Sequence, residues 1–471
     1  MSRISRGFLW SSIDRFSVQG VSFLLSILIA RIVSPSSYGL IVMIQVFMTI
    51  CQTFIDGGFA NALIQKQQRT ENDYYTAFIF NMSVAFFLYL VLFFASPLIA
   101  TFYNEPQLEL ITKVIGLNLI FSSLSIVQKT RLTIDFDFKT QAKAGLLAVV
   151  ISGSIGVICA YFGLEVWALV IQSILNNILI SIFLMFFSRW MPKFVFSKDS
   201  FKHLFNFGSK LLIANLITSI YLNIYNLVIG KKYSSESLAY YNRAFTLTQI
   251  PSSNIEMVLS RMIYPLECKL QNDPAELKKT YLKYLHISNF IILPLMFLLI
   301  GLAKPLVSVV LTDKWLPAVP YLILYAINFT MYPWLDQSVQ LLNVLGRTGL
   351  NLKTQFYKRI VSFIILFATI PFGIEIICLG IVVNTTIELI ISLIADRWVM
   401  NISVLEQIKS QLDVFIISIF TSLFCYIFCM ITHDEYVQLF FGGVFGLLFY
   451  FSLAYMLKME EVKILLRYIK K

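Results

Sequence analysis

The chain has few charged residues: only 13% of its 471 residues are Asp, Glu, Lys or Arg, whereas 58% are hydrophobic. Soluble globular proteins have about 25% charged and about 45–50% apolar residues. Long apolar runs recur from one end of the chain to the other, so we expect no separate soluble domain. The composition excludes a soluble globular protein and indicates an integral membrane protein.

Cysteine and histidine are also scarce, with six and three residues. Five cysteines lie inside apolar segments, where small buried thiols are common, so a disulfide framework is not expected. The histidines are scattered, and no Ser–His, Cys–His or phosphate-loop arrangement occurs. Asp135 and Asp137 resemble a glycosyltransferase motif, but no nucleotide-binding domain surrounds them. We therefore expect no metal, no cofactor and no enzymatic activity.

Fourteen apolar runs are present, each long enough to cross a membrane, because about 20 residues of helix span about 30 Å of hydrocarbon. No small-residue cleavage site follows the first run, so we interpret it as a retained span. The fourteen predicted spans cover residues 8–33, 38–62, 74–102, 107–131, 140–162, 164–188, 204–230, 239–264, 281–303, 317–345, 350–371, 373–398, 409–431 and 436–457.

Lysine and arginine are unevenly divided between the two sides of these spans. With the N-terminus taken as cytoplasmic, 29 of the 37 lysine and arginine residues, Lys358 among them, fall in inner segments and 5 in outer loops. This asymmetry is typical of multi-span membrane proteins with cytoplasmic termini. The net charge of +11 is therefore a topology signal, and a nucleic-acid partner is not expected.

An internal repeat relates the two halves of the chain. The segment Ile29–Leu40 (IARIVSPSSYGL) is similar to Ile229–Tyr240 (IGKKYSSESLAY), 200 residues later. Two further matches follow in the same order, the last between Ala95–Ala100 (ASPLIA) and Ala303–Ser308 (AKPLVS). Six predicted spans separate the copies, so the halves have the same orientation, as in two-lobed transporters with parallel repeats.

Polar side chains recur at steps of three and four residues in spans 1, 2, 7 and 8, which places them on one helix face. Hydrogen bonding between helices is one interpretation. The other, which we favour, is a polar cavity between two lobes, because the four spans are related by the repeat and carry charges. The stripes comprise Ser11, Arg15, Gln19, Ser22 and Ser26; Gln45, Thr49, Gln52 and Asp56; Asn215, Ser219, Asn223 and Asn226; and Asn242, Thr246, Gln249, Ser253, Glu256 and Ser260.

Several motifs, in a consistent order along spans 1 to 10, resemble those of a known family. They are LIARIVSPSSYGL (28–40), DGGFANALIQKQ (56–67), ASPLIATFYNEPQL (95–108), FGLEVWALVIQS (162–173), NRAFTLTQIPSSNI (242–255) and DKWLPAVPYL (313–322). The chain resembles a Wzx-type polysaccharide flippase of the multidrug/oligosaccharidyl-lipid/polysaccharide superfamily, in the branch that includes colanic acid exporters. It departs from the family pattern at residues 229–241, which lack the glycines common in the second copy.

The resemblance implies an all-α integral membrane protein of about fourteen transmembrane helices. Two six-helix lobes, related by a pseudo-two-fold axis along the membrane normal, would enclose a central cavity, with two peripheral helices outside them. We predict an N-lobe over residues 1–200, a C-lobe over 201–405, and spans 13 and 14 with a basic tail over 406–471. The implied function is the flipping of an undecaprenyl-diphosphate-linked oligosaccharide from the cytoplasmic to the periplasmic leaflet of the bacterial inner membrane, by alternating access.

Such a substrate combines an anionic diphosphate, a polar glycan and a long apolar tail. Guanidinium groups bind phosphate in a bidentate manner, so the candidate diphosphate ligands are Arg15, Arg243, Arg261 and Arg31. The candidate glycan ligands or cavity-lining residues are Gln19, Gln45, Gln52, Asn223, Asn226 and Gln249. The candidates for binding a coupling proton or sodium ion, or for neutralising the arginines, are Asp14, Asp56, Asp336 and Glu388.

Other functions remain open at this point. An arginine that snorkels to the membrane interface is an alternative for Arg15. A small-molecule antiporter of the MATE type is the alternative within the superfamily, although fourteen spans and cationic stripes argue against it. An O-antigen polymerase or ligase would need a large outer loop, and the longest one here covers only about residues 304–316. A scaffold for an assembly complex is a third class, which intramembrane charges disfavour. Polysaccharide assembly proteins are further candidate partners.

Overall fold

The protein is helical throughout the part of the chain that the structure describes. The structure is a computed structural model that gives the backbone of residues 3–462 and the side chains of residues 16–462. The chain divides into two compact units, the first ending at Ala239 and the second beginning at Tyr240. The predicted all-α, multi-pass architecture is confirmed, because eleven helices of the described residues are long and apolar enough to cross a membrane.

Unit 1 contains long antiparallel helices joined by short connections. Within a bilayer every backbone N–H and C=O must be paired inside the protein, which long helices achieve along their own length. Helix α1 packs along α7, α7 along α8, and α2 against α9. These helices are α1 (Arg3–Ile32), α2 (Pro35–Asp56), α3 (Phe59–Gln65), α4 (Glu71–Tyr103), α5 (Gln107–Ile115), α6 (Leu117–Ile134), α7 (Phe138–Tyr161), α8 (Val166–Ser188) and α9 (Lys198–Lys232).

Helix α10 (Ser235–Lys269) continues from unit 1 into unit 2. The remaining helices of unit 2 are α11 (Pro274–Gly301), α12 (Ala303–Leu311), α13 (Val319–Phe329), α14 (Tyr332–Val344), α15 (Thr348–Thr369), α16 (Ile374–Met400), α17 (Val404–Lys409), α18 (Leu412–Ile431) and α19 (Glu435–Met456). Short 3-10 segments cover Asp313–Ala318 and Ile370–Phe372. A large apolar cluster of this unit joins α11 to α14, α18 and α19.

Polar residues at helix starts explain where several helices begin. Ser34 caps α2 and Pro35 occupies its first turn, where the missing N–H of proline costs nothing. The Glu165 carboxylate accepts hydrogen bonds from the Ser34 backbone N–H (3.0 Å) and from the Ser34 hydroxyl (2.8 Å). Asp137 caps α7 by accepting from the backbone N–H of Thr140 (3.1 Å). The Asp135–Asp137 motif thus has a structural role in starting a helix.

The predicted count of fourteen spans is not confirmed. Span 1 falls on α1, whose described apolar part, Phe16–Ile32, is shorter than a full span. Span 8 falls on α10, which is long but carries too many polar residues to qualify as an apolar span. Span 10 is divided between α13 and α14, which are separated at Thr330 and Met331. The other predicted spans coincide with the eleven apolar helices.

The helix boundaries agree with the first match of the sequence repeat. Helix α1 ends at Ile32 and α9 at Lys232, and the following helices begin at Pro35 and Ser235, so both breaks are 200 residues apart. The copies then differ, because Gly57 and Gly58 separate α2 from α3 whereas α10 is continuous. Gly58 has a φ of +70°, and a Cβ added there would lie 2.5 Å from the Gly208 carbonyl oxygen on α9.

Candidate functional site

The most concentrated group of buried charges lies in unit 2. Glu256 on α10 is 7% exposed and accepts hydrogen bonds from the Tyr284 hydroxyl (3.2 Å) and the Ser288 hydroxyl (2.7 Å), both on α11. Glu267, also on α10, is 0% exposed and accepts from the side-chain amides of Gln337 and Gln340 on α14. Neutral donors therefore solvate both carboxylates, and these contacts hold α10 against α11 and α14.

Asp396 on α16 is the third buried acid of this unit, with 0% exposure. Its two carboxylate oxygens accept from the hydroxyls of Tyr281 on α11 (3.0 Å) and Ser338 on α14 (2.7 Å). Sequence reasoning did not select Asp396 or Glu267. The available signal was the position of Asp396 inside predicted span 12, where any acid is costly and therefore informative.

Lys358 is a buried cation in the same region, and the structure corrects its assignment to an inner loop. It lies within α15, is 3% exposed and donates to the Ser392 hydroxyl of α16 at 2.7 Å. The charges of Glu388, Asp396 and Asp336 act on its ammonium group. The signal was again present in the sequence, because residue 358 falls inside predicted span 11.

The structure describes the side chains of three predicted diphosphate ligands, Arg31, Arg243 and Arg261. Of these three, Arg243 is buried. It is 7% exposed, and its guanidinium carbon lies 5.5 Å from the ring centroid of Trp315, a cation–π arrangement. Trp315 is fully buried and is itself in edge contact with Tyr240 at 5.9 Å. Arg31 and Arg261 are exposed. Arg15 lies outside the residues whose side chains are described, as does Asp14.

The polar stripe predicted on α2 forms hydrogen bonds along its own helix and with α6. Gln52 donates to Asp56 (3.1 Å) and accepts from the Ser122 hydroxyl (2.9 Å), while Asp56 remains exposed. Gln45 is also exposed, with a long 3.4 Å contact to Thr49. The other predicted cavity-lining residues are Gln19, Asn223 and Asn226, which are half-buried, and Gln249, which is exposed.

Of the predicted ion-coupling acids whose side chains are described, two lie in unit 2 and one lies in unit 1. Asp336 on α14 is exposed at its side chain, and Glu388 on α16 is half-buried and accepts from the Asn384 amide at 2.8 Å. Both interact electrostatically with Lys358. Asp56 belongs to the separate polar stripe of α2 in unit 1. These assignments of function stay predictions.

The polar contacts inside unit 1 are mainly between neutral groups. Asn118 on α6 is 6% exposed, donates to the Ser173 hydroxyl (2.8 Å) and accepts from the Asn177 amide (3.0 Å), both on α8. Several acids of this unit lie at helix starts, among them Glu71 and Asp73 of α4 and Asp137 before α7. Asp73, in the first turn of α4, forms an ion pair with Lys66 at 2.7 Å.

The fold that carries these residues is that of a solved membrane transporter. The chain is similar to the lipid II flippase MurJ in an inward closed conformation, with a TM-score of 0.77 at 16% sequence identity. The similarity covers 97% of this chain and 100% of that one. The class that the fold defines is therefore a multi-helix membrane protein with the fold of that solved flippase.

The family is shown by sequence. A family described as polysaccharide biosynthesis protein matches residues 28–320, more than half of the chain, and the chain belongs to it. The chain is 24% identical over 350 residues to the teichuronic acid biosynthesis protein TuaB of Bacillus subtilis (strain 168), covering 74% of this chain and 72% of the relative. It is 22% identical over 358 residues to the lipopolysaccharide biosynthesis protein WzxC of Escherichia coli (strain K12), covering 75% and 72%.

These findings confirm the resemblance to polysaccharide flippases of the multidrug/oligosaccharidyl-lipid/polysaccharide superfamily. They also support the interpretation of the chain as a transporter, since its family and its structural neighbour are of that kind and not enzymes. A multi-pass membrane location follows from the eleven apolar helices of the described residues together with this family.

Proposed function

We propose that the protein flips a lipid-linked oligosaccharide, carried on undecaprenyl diphosphate, from the cytoplasmic to the periplasmic leaflet for surface polysaccharide synthesis. The observation that carries the proposal is the fold shared with a lipid II flippase over 97% of the chain. Membership of the polysaccharide biosynthesis family supports it, and two relatives have names that refer to teichuronic acid and lipopolysaccharide synthesis. Transport by alternating access between two lobes is part of the proposal.

Four arginines are proposed to bind the diphosphate: Arg15, Arg243, Arg261 and Arg31. Arg243 has the strongest support, since burial against Trp315 removes competing water and limits the directions that its guanidinium group takes. The amides of Gln45, Gln52 and Gln249, which are exposed or half-buried, are proposed to contact the glycan together with Gln19, Asn223 and Asn226. Coupling to a proton or sodium ion is proposed for Asp14, Asp56, Asp336 and Glu388.

The proposed location is the bacterial inner membrane, with both termini in the cytoplasm, as the lysine and arginine distribution predicts. The proposed lobes cover residues 1–200 and 201–405, with 406–471 outside them. The two compact units of the structure are divided along the chain between Ala239 and Tyr240.

Export measured in cells tests the diphosphate proposal. Arg243→Ala and Arg15→Ala should each abolish surface polysaccharide while the protein still reaches the membrane, and lipid-linked oligosaccharide should accumulate in the inner leaflet. Arg397→Ala is the matched control, because Arg397 is exposed at the end of α16 and should leave export unchanged. Normal surface polysaccharide in both variants would contradict the diphosphate assignment. Efflux of small cationic drugs without glycan export would favour the antiporter alternative.

A further inference from the structure

The connection between α8 and α9, residues 189–197, lies at a membrane boundary. Both flanking helices are long and apolar enough to cross a membrane, and the connection itself has no regular secondary structure. It contacts the first turns of a third membrane helix, α4, so three helix ends lie at the same level. The connection therefore lies where the hydrocarbon core of a bilayer gives way to the lipid headgroups.

Contacts with α4 fix both ends of this connection. The indole N–H of Trp190 donates to the Glu71 carboxylate at 2.9 Å, and the Trp190 ring stacks on Tyr75 with 5.8 Å between the ring centroids. At the other end, the backbone N–H of Ser197 donates to the Thr76 hydroxyl at 3.0 Å. The residues between these contacts are therefore held in place, and the side chains that they expose form a defined surface.

The residues between the two contacts expose large apolar side chains. Phe194 is 90% exposed, Met191 65% and Phe196 49%. Uncovered side chains of this size are costly in water, because apolar surface is stabilised when it leaves water. Phenylalanine beside basic residues is typical of segments that lie in the membrane interface. This part of the connection therefore fits the boundary between lipid headgroups and acyl chains.

Positive charge flanks these apolar side chains. Four basic residues of the connection and of the first turns of α9 are exposed: Arg189, Lys193, Lys198 and Lys202. None of the four forms an ion pair with a described residue, and Asp199 is the one acid within residues 189–203. The surface is therefore cationic as well as apolar. An anionic lipid matches both properties, whereas a zwitterionic lipid matches the apolar part alone.

We propose that the α8–α9 connection is a binding surface for anionic phospholipid of the leaflet that it faces. Phe194 and Met191 enter the boundary between headgroups and acyl chains, and the basic side chains contact the lipid phosphates. The lysine and arginine distribution makes this the inner leaflet. The surface includes none of the residues proposed to bind the diphosphate, so the inference is independent of the transported substrate.

The lipid preference of the purified full-length protein tests this proposal. The protein in detergent is exposed to equal amounts of dioleoylphosphatidylglycerol and dioleoylphosphatidylcholine, and native mass spectrometry gives the ratio of the two lipids that stay bound. Removing three charges of the surface, with Lys193→Gln, Lys198→Gln and Lys202→Gln together, should reduce this ratio about twofold, because each basic residue contributes to the attraction of anionic lipid.

The matched control removes the same number of charges from exposed lysines of unit 2. Lys353→Gln, Lys409→Gln and Lys458→Gln together should leave the lipid ratio at the wild-type value. An equal fall in the two triple variants would show that total charge, and not this surface, selects the lipid, and would overturn the proposal. An unchanged ratio in the first variant would overturn it as well.

Phe194→Trp provides a second, local measurement in proteoliposomes. Its emission in excess of the wild type should be quenched by phosphatidylglycerol brominated in the acyl chains, and about twofold less by brominated phosphatidylcholine. Unquenched excess emission would place residue 194 in water or beneath protein, which contradicts the proposal. Loss of surface polysaccharide in the first triple variant with an unchanged lipid ratio would identify a cytoplasmic protein as the partner instead. Neither lipid measurement depends on transport, so the inference can fail while the proposed function stands.

Discussion

The two compact units begin their shared repeat with the same helix break but place their charges differently. In unit 1, Asp73 and Glu165 lie at helix starts, and the buried contact between α6 and α8 uses the neutral side chain of Asn118. In unit 2, Glu256 and Asp396 lie within helices, are nearly fully buried, and accept hydrogen bonds from hydroxyl groups of neighbouring helices.

The difference shows how one helical framework carries two kinds of polar interior. A charge at a helix start is stabilised by the backbone N–H groups that it caps, and the buried Asp73 has Lys66 beside it as a counter-ion. A charge in mid-helix must be compensated by the protein, which requires several helices to hold fixed positions. We therefore expect unit 2 to be the more sensitive of the two to the loss of single polar groups.

The largest effect is expected at Asp396. Asp396→Ala should destabilise unit 2 by about 4 kcal/mol, because it removes the acceptor of two buried hydroxyls and a counter-charge of Lys358. Thermal unfolding in detergent measures the change. Asp413→Ala is the control, since the Asp413 side chain is 46% exposed. Equal thermal unfolding midpoints for Asp396→Ala and Asp413→Ala would show that buried acids do not make unit 2 more sensitive to the loss of a polar group.

The second-largest effect is expected at the helix break formed by Gly57 and Gly58, which has no counterpart in the continuous helix α10. Gly58→Ala should cost about 3 kcal/mol, because its φ is +70° and the added Cβ would lie 2.5 Å from the Gly208 carbonyl oxygen. Val258 is the residue 200 positions later in the continuous helix α10 and is 43% exposed. Val258→Ala should change the unfolding midpoint little. A tolerated Gly58→Ala would mean that α3 and α9 are free to separate.

The third effect measures the neutral network of unit 1. Asn118→Ala should cost about 2 kcal/mol, since it leaves Ser173 and Asn177 without their shared partner between α6 and α8. Asn272→Ala, at an exposed position before α11, serves as its control. A cost as large as that of Asp396→Ala would remove the contrast between neutral and charged interiors.

The smallest effect concerns the segment after α19. Burial alone acts to raise the pKa of the Glu461 carboxyl, but the hydrogen bond and charge of His286, 3.5 Å away, hold that pKa below its ordinary value. Because the pKa is lower in the folded state, the contact stabilises the fold above the unfolded-state value of about 4.3 and is lost as the pH falls further.

Glu461→Gln should therefore lower stability by less than about 1 kcal/mol at neutral pH and flatten the decline of stability below about pH 4.3. Unfolding midpoints recorded between neutral and acid pH give both quantities. Glu460→Gln is the adjacent control, since Glu460 is exposed. An unchanged acid profile in Glu461→Gln would show that the contact with His286 does not contribute.

Much of the fold was predictable from the sequence because a bilayer permits few solutions. Apolar runs of span length must be helices there, and eleven of the fourteen predicted spans became long apolar helices. The break at Ser34 and Pro35 was visible as a capping residue followed by proline, and its copy near Ser235 followed from the repeat. Continuity across α10 and the division of α13 from α14 were not predictable, because both depend on packing between helices.

The candidate site was predictable only in part. Burial of Arg243 and the position of Glu388 near a buried cation are consistent with their selection as intramembrane charges. Asp396 was missed because it lies near the end of predicted span 12, and Lys358 was counted with an inner loop although it falls inside predicted span 11. A charged residue near the boundary of a predicted span is either an anchor at the membrane interface or a partner in a buried contact. A single sequence does not distinguish these two roles.

The sequence by itself determined the class of protein. Its composition, its pattern of spans and its family motifs are each properties of single segments or of a few adjacent helices, so they do not depend on how distant helices pack. Only the tertiary structure decided which charged groups are compensated and which neighbouring groups compensate them. The contact of Lys358 with Ser392, and of Asp396 with Tyr281 and Ser338, joins residues up to 115 positions apart. Hydrogen bonds and charge compensation depend on distances of a few ångströms, and only the packing of whole helices fixes such distances.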